Sequence, residues 1–338
     1  MTLFPRLIPL LLALCLPASA LAAERTSYPL TIRNCGRDVV FQKPPTRVVS
    51  LGQSDTEILM SLGLADRIVG TAVWFAPVLK EYEAANARIK RLADNDPSFE
   101  AVVGQQPELV TAQYEWHVGP NGSVGKPQQF AGLGIPVYIA PADCVEKDNS
   151  GGGDGVRKQM FNMGLIYQEI RDFAAIFDVT DAGERLVQRL QQREAAAIAS
   201  VTAGTARGVP VLFWFSSRDV KDDAFVAGRN GAPAYILSTL GDRNVITTNE
   251  EWPTVSWEAI AVANPAVIAI ARMERRRFPA DDVGIKLNFL QTDPVASQLE
   301  AVRRKRFVVM DAMSMNPTIR TIDGIEALAA GIRSFGLD

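Results

Sequence analysis

The sequence predicts an α/β fold of two Rossmann-like lobes with parallel sheets, joined by one long rigid helix. Three observations lead there. Near-continuous apolar runs alternate with helical stretches along the chain, as strands covered on both faces require. A helix-then-strand unit occurs twice: "PSFEAVVGQQPELV" at 97–110 and "TVSWEAIAVANPAVI" at 254–268 superpose at one constant offset, with Ser98 on Ser256, Glu100 on Glu258 and Pro107 on Pro265. Between the halves, residues 181–204 run through strong helix formers without a proline.

Of the 338 residues 47% are hydrophobic, and 35 basic residues stand against 38 acidic ones. That balance argues against a nucleic-acid partner, which would call for a strongly basic domain. At the start of the chain, Arg6 precedes an apolar run from Leu7 to Leu16, and small residues from Ala18 to Ala23 offer a cleavage site. Residues 1–23 are therefore expected to be a secretory signal peptide. The run is too short to span a bilayer, and no later stretch suits stable membrane insertion. Leu14 stands directly before Cys15, where a lipid-anchor motif wants a small residue, so no lipidation is expected.

About 315 residues remain, more than one core usually serves. The expected division is an N-terminal lobe over 24–178, an interlobe helix over 179–204 and a C-terminal lobe over 205–338. Cys35 and Cys144 are left in an exported chain, and two cysteines in an oxidising compartment suggest a disulfide. A thiolate metal site is the alternative, but isolated cysteines lack ligand spacing.

In the first half the expected strands are 47–51, 68–72, 109–112 and 137–140. The stretch "VSLGQSDTEIL" places Ser54 between a strand and a helix, as a hydrolase elbow does, but Thr56 occupies the position where that elbow needs glycine. Ser54 or Asp55 instead reads as the cap of a helix starting near Thr56. In each repeat the serine, Ser98 or Ser256, can cap a helix whose first turn holds the glutamate, favoured there by the helix dipole. Pro107 and Pro265 then stop the helices.

His117 is the only histidine, which excludes a multi-imidazole zinc site; it could still fill one open position on a metal held by something else. The glycine-rich "GGGDG" at 151–155 follows no strand and reads as a surface loop, not a phosphate cradle. An EF-hand beginning at Asp148 fails because Gln159 stands where a bidentate glutamate is needed.

For the connecting helix Asp181 can cap, Gly204 can end, and Leu186, Leu190, Ala197 and Val201 recur at helical spacing. Such a helix would reach about 35 Å and act as a stiff connector. The second half offers strands at 209–215, 266–271 and 306–312. "ARMERRRF" follows the middle one directly, where loops at carboxyl ends of parallel strands line a ligand crevice, so Arg272, Arg275, Arg276 or Arg277 could meet an anionic group. "RRKRF" at 303–307 reads as the cationic end of a helix.

The order "YPLTIRNCGRDVVFQKPPTRVVSLGQSDTEILMSLGLADRIVG", "PSFEAVVGQQPELV", a long helix, "TVSWEAIAVANPAVI" and "RRKRFVVMDA" resembles the class III periplasmic binding proteins, the receptors for ferric siderophores, haem and cobalamin in ABC import. The likeness covers essentially the whole mature chain. It implies a periplasmic, non-enzymatic receptor that holds a metal chelate between its lobes, with no intrinsic cofactor, the metal arriving inside the chelate. It also implies that Glu100 and Glu258, one per lobe, dock onto arginines of a permease dimer.

The ligand would meet Gln53, Ser54, Trp74, Tyr114, Trp116 and His117 in the first lobe. In the second it would meet Trp214, Phe215, Arg229, Trp252, Arg272, Met313 and Met315. Aromatic and methionine side chains give broad apolar contact, and arginine pairs with anions. Two rivals remain at this point: a secreted serine hydrolase using Ser54 and His117, and a surface protein with no small ligand.

Overall fold

The computed structural model describes residues 25–151, 154–201 and 208–337. The expected signal peptide and the cap at Gly204 lie outside the described residues. A short antiparallel hairpin, β1 (Leu30–Asn34) and β2 (Arg37–Phe41), leads into the first sheet. That sheet holds β3 (Val48–Leu51), β4 (Ile68–Ala72), β5 (Leu109–Ala112) and β6 (Val137–Ile139), all parallel in the order β4-β3-β5-β6. The small hairpin β7 (Lys147–Asp148) and β8 (Val156–Arg157) follows.

The second sheet is built on β9 (Pro210–Ser216), β13 (Val267–Arg272) and β14 (Phe307–Asp311), again parallel, with β11 (Arg243–Asn244) parallel to β9. It is mixed where an all-parallel sheet was expected. Strands β10 (Ala224–Val226) and β12 (Thr254–Val255) add antiparallel at one edge. Two or three residues each, they carry no periodic signal a sequence reading could catch.

Strand parity distributes the core. Along β9, Val211 and Phe213 face one apolar cluster while Leu212 and Trp214 face another; along β13, Val267, Ala269 and Ala271 oppose Ile268 and Ile270 in the same way. The first of these clusters is shared by both lobes. It runs from Val48, Ile58 and Phe173 through Leu186, Val187 and Leu190 to Val211, Phe213 and Ile325.

The middle members of that cluster lie on the long helix Thr180–Val201, 22 residues and about 33 Å. It starts one residue before Asp181, so that carboxylate sits in the first turn. Its Glu194 carboxylate accepts from Tyr167 of the preceding helix at 3.0 Å and from Tyr235 of the second lobe at 2.5 Å. Arg193 pairs with Asp323 and Glu326 of the last helix, both at 2.6 Å.

Both repeat units are as the spacing predicts. Ser98 caps Phe99–Val103 by accepting from the Ala101 amide at 3.1 Å, and Ser256 caps Trp257–Ala263 by accepting from Ala259 at 3.2 Å. Both helices stop before their prolines, at Gly104 and at left-handed Asn264. Cys35 and Cys144 are bridged across 109 residues, tying the β1–β2 turn to the segment after β6.

Candidate functional site: a cleft between the lobes

The parallel strands of both sheets deliver their carboxyl ends to one place. Gln113, Tyr114 and Trp116 follow β5, Asp143 follows β6 and Phe75 follows β4. From the other lobe Phe215 and Arg218 end β9, Met273, Arg275 and Arg277 follow β13, and Met313 and Asn316 follow β14. Together they enclose a cavity of 540 Å³, a size typical of small-molecule sites.

The walls are aromatic. Tyr114 and Trp116 stack at 4.3 Å and 8°, Phe75 meets Tyr114 edge-on at 6.4 Å, and across the cleft Phe215 packs on Trp252 at 4.7 Å. Burial pushes the Tyr114 phenol well above its usual range, with Asp143 next, so it is a neutral hydrogen-bonding group.

Charge is unevenly placed. On the second-lobe side stand three guanidiniums, Arg218, Arg275 and Arg277, and none forms an ion pair among the described residues. Arg275 lies 5.0 Å over the Phe75 ring and donates to the Asp94 carbonyl at 2.6 Å, reaching across to the first lobe. Asp281 lines the same cavity, and its oxygens accept from the backbone amides of Arg277 and Phe278, at 2.6 and 2.8 Å, and from the Ser216 hydroxyl.

The opposite wall carries three carboxylates, Asp143, Asp154 and Glu251, against two cations, Lys147 and Arg157. Lys147 sits 2.5 Å from Asp143 and 3.4 Å from Glu251, and Arg157 Nε is 3.2 Å from the same Glu251. Burial raises the Asp143 carboxyl against the pull of Lys147. Asp143 also accepts from the Glu115 amide at 2.6 Å, anchoring the turn that presents Trp116.

Of the residues expected to touch a ligand, Tyr114, Trp116, Phe215, Trp252 and Met313 line the cavity. The others do not, and each has a physical reason. Trp74 is 2% exposed, its indole nitrogen donating to Thr71 at 3.0 Å and its ring covered by Arg91. Trp214 falls on the far face of β9, against Trp257 and Phe289. Met315 belongs to the shared core. Arg229 is exposed and donates to Asn249, and Arg272 is an exposed end of the β13–β14 ladder.

Gln53 is fully buried and accepts from the amides of Phe75 and Ala76 at 3.2 and 3.0 Å, so it holds a cleft wall from behind. Ser54 is 2% exposed, and its hydroxyl accepts from the Ile319 amide at 3.4 Å. The helix begins at Gln53 after Gly52, where a Cβ would lie 2.3 Å from that of Gln113. Neither Ser54 nor Asp55 is its cap; the strand-to-helix turn is tight because of this close approach.

His117 is fully buried. Its Nε2 lies 2.8 Å from the Trp116 indole nitrogen and 3.0 Å from Asp96 Oδ1, so it accepts from the first or donates to the second. Burial lowers its proton affinity against the opposing pull of Asp96. With Ser54 bonded to the other lobe and His117 Nε2 engaged by Trp116 or Asp96, the hydrolase dyad is not formed. Among the described residues no group of three or more His, Cys, Asp and Glu side chains is placed to hold a metal ion.

Sequence reasoning missed the inner charged wall of Asp143, Lys147, Arg157 and Glu251, and it missed Phe75, Arg218 and Met273. The strand-end rule that pointed to "ARMERRRF" would have found Phe75 and Arg218 as well, had it been applied to β4 and β9.

Two α/β lobes braced by one long helix, with an aromatic, partly cationic cleft at their junction, have the architecture of a two-lobed solute receptor. The chain belongs to the periplasmic binding protein family, whose sequence pattern matches residues 48–313. It is 22% identical over 320 residues to an uncharacterised ABC transporter substrate-binding lipoprotein of Bacillus subtilis, covering 92% of this chain and 88% of that one. A vitamin B12-binding protein of Photorhabdus laumondii is 22% identical over 230 residues, 67% of this chain and 71% of its own. The solved structure of an ABC-type Fe3+-hydroxamate transport system from Saccharomonospora viridis superposes with a TM-score of 0.72 at 25% identity, covering 90% of this chain and 99% of that one. Among the described residues no helix is long and apolar enough to cross a membrane.

Proposed function

We propose that the protein captures a metal chelate, a siderophore, metallophore, haem or cobalamin, in this cleft in the periplasm and hands it to an ABC permease without chemical change. The observation that carries the reading is the pairing of facing aromatic walls with three guanidiniums that form no ion pair among the described residues, in one 540 Å³ cavity. A flat or globular chelate supplies apolar surface for the rings, and its carboxylate, catecholate or propionate groups suit the arginines. The relatives that bind vitamin B12 and the hydroxamate-transport neighbour support the same chemistry.

Titrating the tryptophan fluorescence with haem, cobalamin, several ferric siderophores, zinc metallophores and the free metals tests this. Saturable submicromolar quenching by one chelate but not by its bare metal is the expected result, since Trp116 and Trp252 line the cavity. No response across the panel would take the ligand outside metal chelates.

Glu100 and Glu258 support the delivery step. Each is exposed in the first turn of its equivalent helix, one per lobe, and neither forms an ion pair among the described residues. Surface charges so placed set encounter rate and register on a permease dimer. Replacing both with arginine should leave ligand affinity intact and block uptake; lost ligand binding would refute the docking role.

A further inference from the structure

Arg320, at the start of the last helix of the second lobe, reaches into the first lobe. Its Nε donates to Glu57 Oε2 at 2.9 Å, one terminal nitrogen donates to Glu57 Oε1, and the same nitrogen donates to the Pro77 carbonyl at 2.7 Å. The pair is bidentate, and the two side chains are 6% and 1% exposed. Asp311 Oδ2 stands 3.5 Å from the remaining terminal nitrogen.

Both partners are wired to cleft walls. Glu57 Oε1 also accepts from the Gln53 amide and from the Leu79 backbone, each at 3.2 Å, and Gln53 in turn holds the amides of Phe75 and Ala76. The 75–79 segment, which carries Phe75 to the cavity, is thus strung on side chains of one helix. On the other side, Thr318 donates its hydroxyl to the Met313 carbonyl at 2.8 Å and accepts from the Arg320 amide at 3.1 Å. That pins the turn bearing Met313, Asn316 and Pro317 to the base of Arg320.

We propose that Glu57 and Arg320 form the latch that fixes the separation of the two cleft walls, positioning Phe75 and the Met313–Pro317 turn for the bound molecule. A planar guanidinium on a carboxylate sets both distance and plane, which a single contact cannot. Buried ion pairs contribute little net stability, but pulling one apart strands a charge in a dry interior, so separating the two walls here is costly. Other polar ties cross between the lobes as well: Asn230 donates to the Arg157 carbonyl and accepts from the Phe161 amide, both at 2.8 Å. Glu251 meets Lys147 and Arg157 at 3.4 and 3.2 Å, and Arg275 holds one carbonyl at the rim. The consequence for ligand fit rests on the cleft being the binding site; the latch itself is a property of the empty protein.

The test uses the full mature chain without ligand. Spin labels on Leu133→Cys and Val262→Cys, exposed sites on opposite lobes, report the interlobe distance by pulsed electron resonance. Amide exchange reports the walls. Two backgrounds are compared with wild type: Arg320→Lys, which keeps the charge but loses the fork, and Glu57→Met with Arg320→Met, which removes both charges at similar volume and guards against a variant that does not fold.

The expected result is a broadened distance distribution in both. Exchange at Phe75, Ala76, Leu79 and residues 313–319 should be faster by on the order of tenfold, with Pro210–Ser216 and Val267–Arg272 unchanged. Unchanged distances and wall amides would overturn the proposal. So would exchange rising equally through the central strands, which would make the pair an ordinary stability element. Loosened walls in a protein that binds none of the chelates would leave the latch standing and sink the ligand reading.

Discussion

Lys286 offers a quantitative check on the second lobe. It is fully buried beneath the cleft, with Nζ donating to the Phe215 carbonyl at 2.5 Å and the Ala271 carbonyl at 3.0 Å, and it lies 5.4 Å from the Trp214 ring centroid. The ammonium therefore ties β9 to β13 where Phe215 and Met273 leave the sheet for the cleft. Burial depresses its proton affinity from 10.5 to about 8, against the raising influence of Asp281 and Asp282. Between about pH 8 and 10.5 the unfolded chain then binds more protons than the folded one, so stability rises with pH across that window. A fall of that size corresponds to about 3 kcal/mol. In Lys286→Met this contribution is absent, while two strand-end carbonyls lose their donor at a cost of roughly 1–3 kcal/mol. The two effects oppose each other at neutral pH. Urea unfolding of wild type and variant at half-unit steps from pH 7 to 10.5 isolates the titration, because the tyrosines contribute equally to both. The wild-type minus variant difference should climb by about 3 kcal/mol over the window. A flat difference would mean that Lys286 is charged and solvated, and that the wall is not anchored as described.

Replacing Trp116 or Trp252 by alanine should weaken chelate binding by on the order of tenfold each, read by calorimetry, with the circular dichroism unchanged; full affinity in both would move the site elsewhere. Asp55 is fully buried and pushed up to about 7 by desolvation, and its buried neighbour Glu169 is raised for the same reason and by Asp55. Stability from this pair is present below the ordinary carboxyl range and falls as pH rises toward 7. Asp55→Asn should therefore gain on wild type between pH 4 and 7 in denaturant titrations, and a constant difference would contradict the burial argument. Opening the bridge with Cys35→Ser and Cys144→Ser should lower unfolding free energy by about 2–5 kcal/mol, and an unchanged midpoint would show the bridge to be neutral. Small-angle scattering should show no large contraction on ligand binding, since the lobes share one apolar core; a large one would refute the rigid-junction account.

What the sequence revealed and what it hid divide along range. The seven central parallel strands were visible because each is an apolar run of its own, whereas the half-exposed five-residue strands of the β1–β2 hairpin were not; the serine caps were visible because a cap acts over three residues. Parity decided Trp214: one position before Phe215 on β9, it necessarily faces the opposite side of the sheet, and counting aromatic residues without counting alternation put both in the cleft. Trp74 and Met315 erred in the same way, as apolar side chains close in sequence to the cleft but turned into the core. Gln53 and Ser54 were in the right place with the wrong role, one gripping a wall segment from behind and the other bridging the lobes. Of the four arginines at 272–277, Arg272 is still paired in the β13–β14 ladder, whereas Arg275 and Arg277, three and five positions later, reach the cleft.

Glu57 and Arg320 lie 263 positions apart, and no local pattern joins them. Their contact exists only because β3, β14 and the long helix bring the two halves together, and its consequence is larger than its reach. A receptor whose lobes were joined by flexible strands would spend part of its binding energy on closing; here the shared core, the Glu194 bridge between two tyrosines and the buried guanidinium fix the separation before any ligand arrives. Selectivity then comes from the fixed shape of the walls, and the side chains free to adapt are the rim arginines Arg218 and Arg277, which hold no ion pair among the described residues. Phe75 and the Met313–Pro317 turn, which line the cleft, are held by Gln53, Glu57, Thr318 and Arg320, none of which lines it.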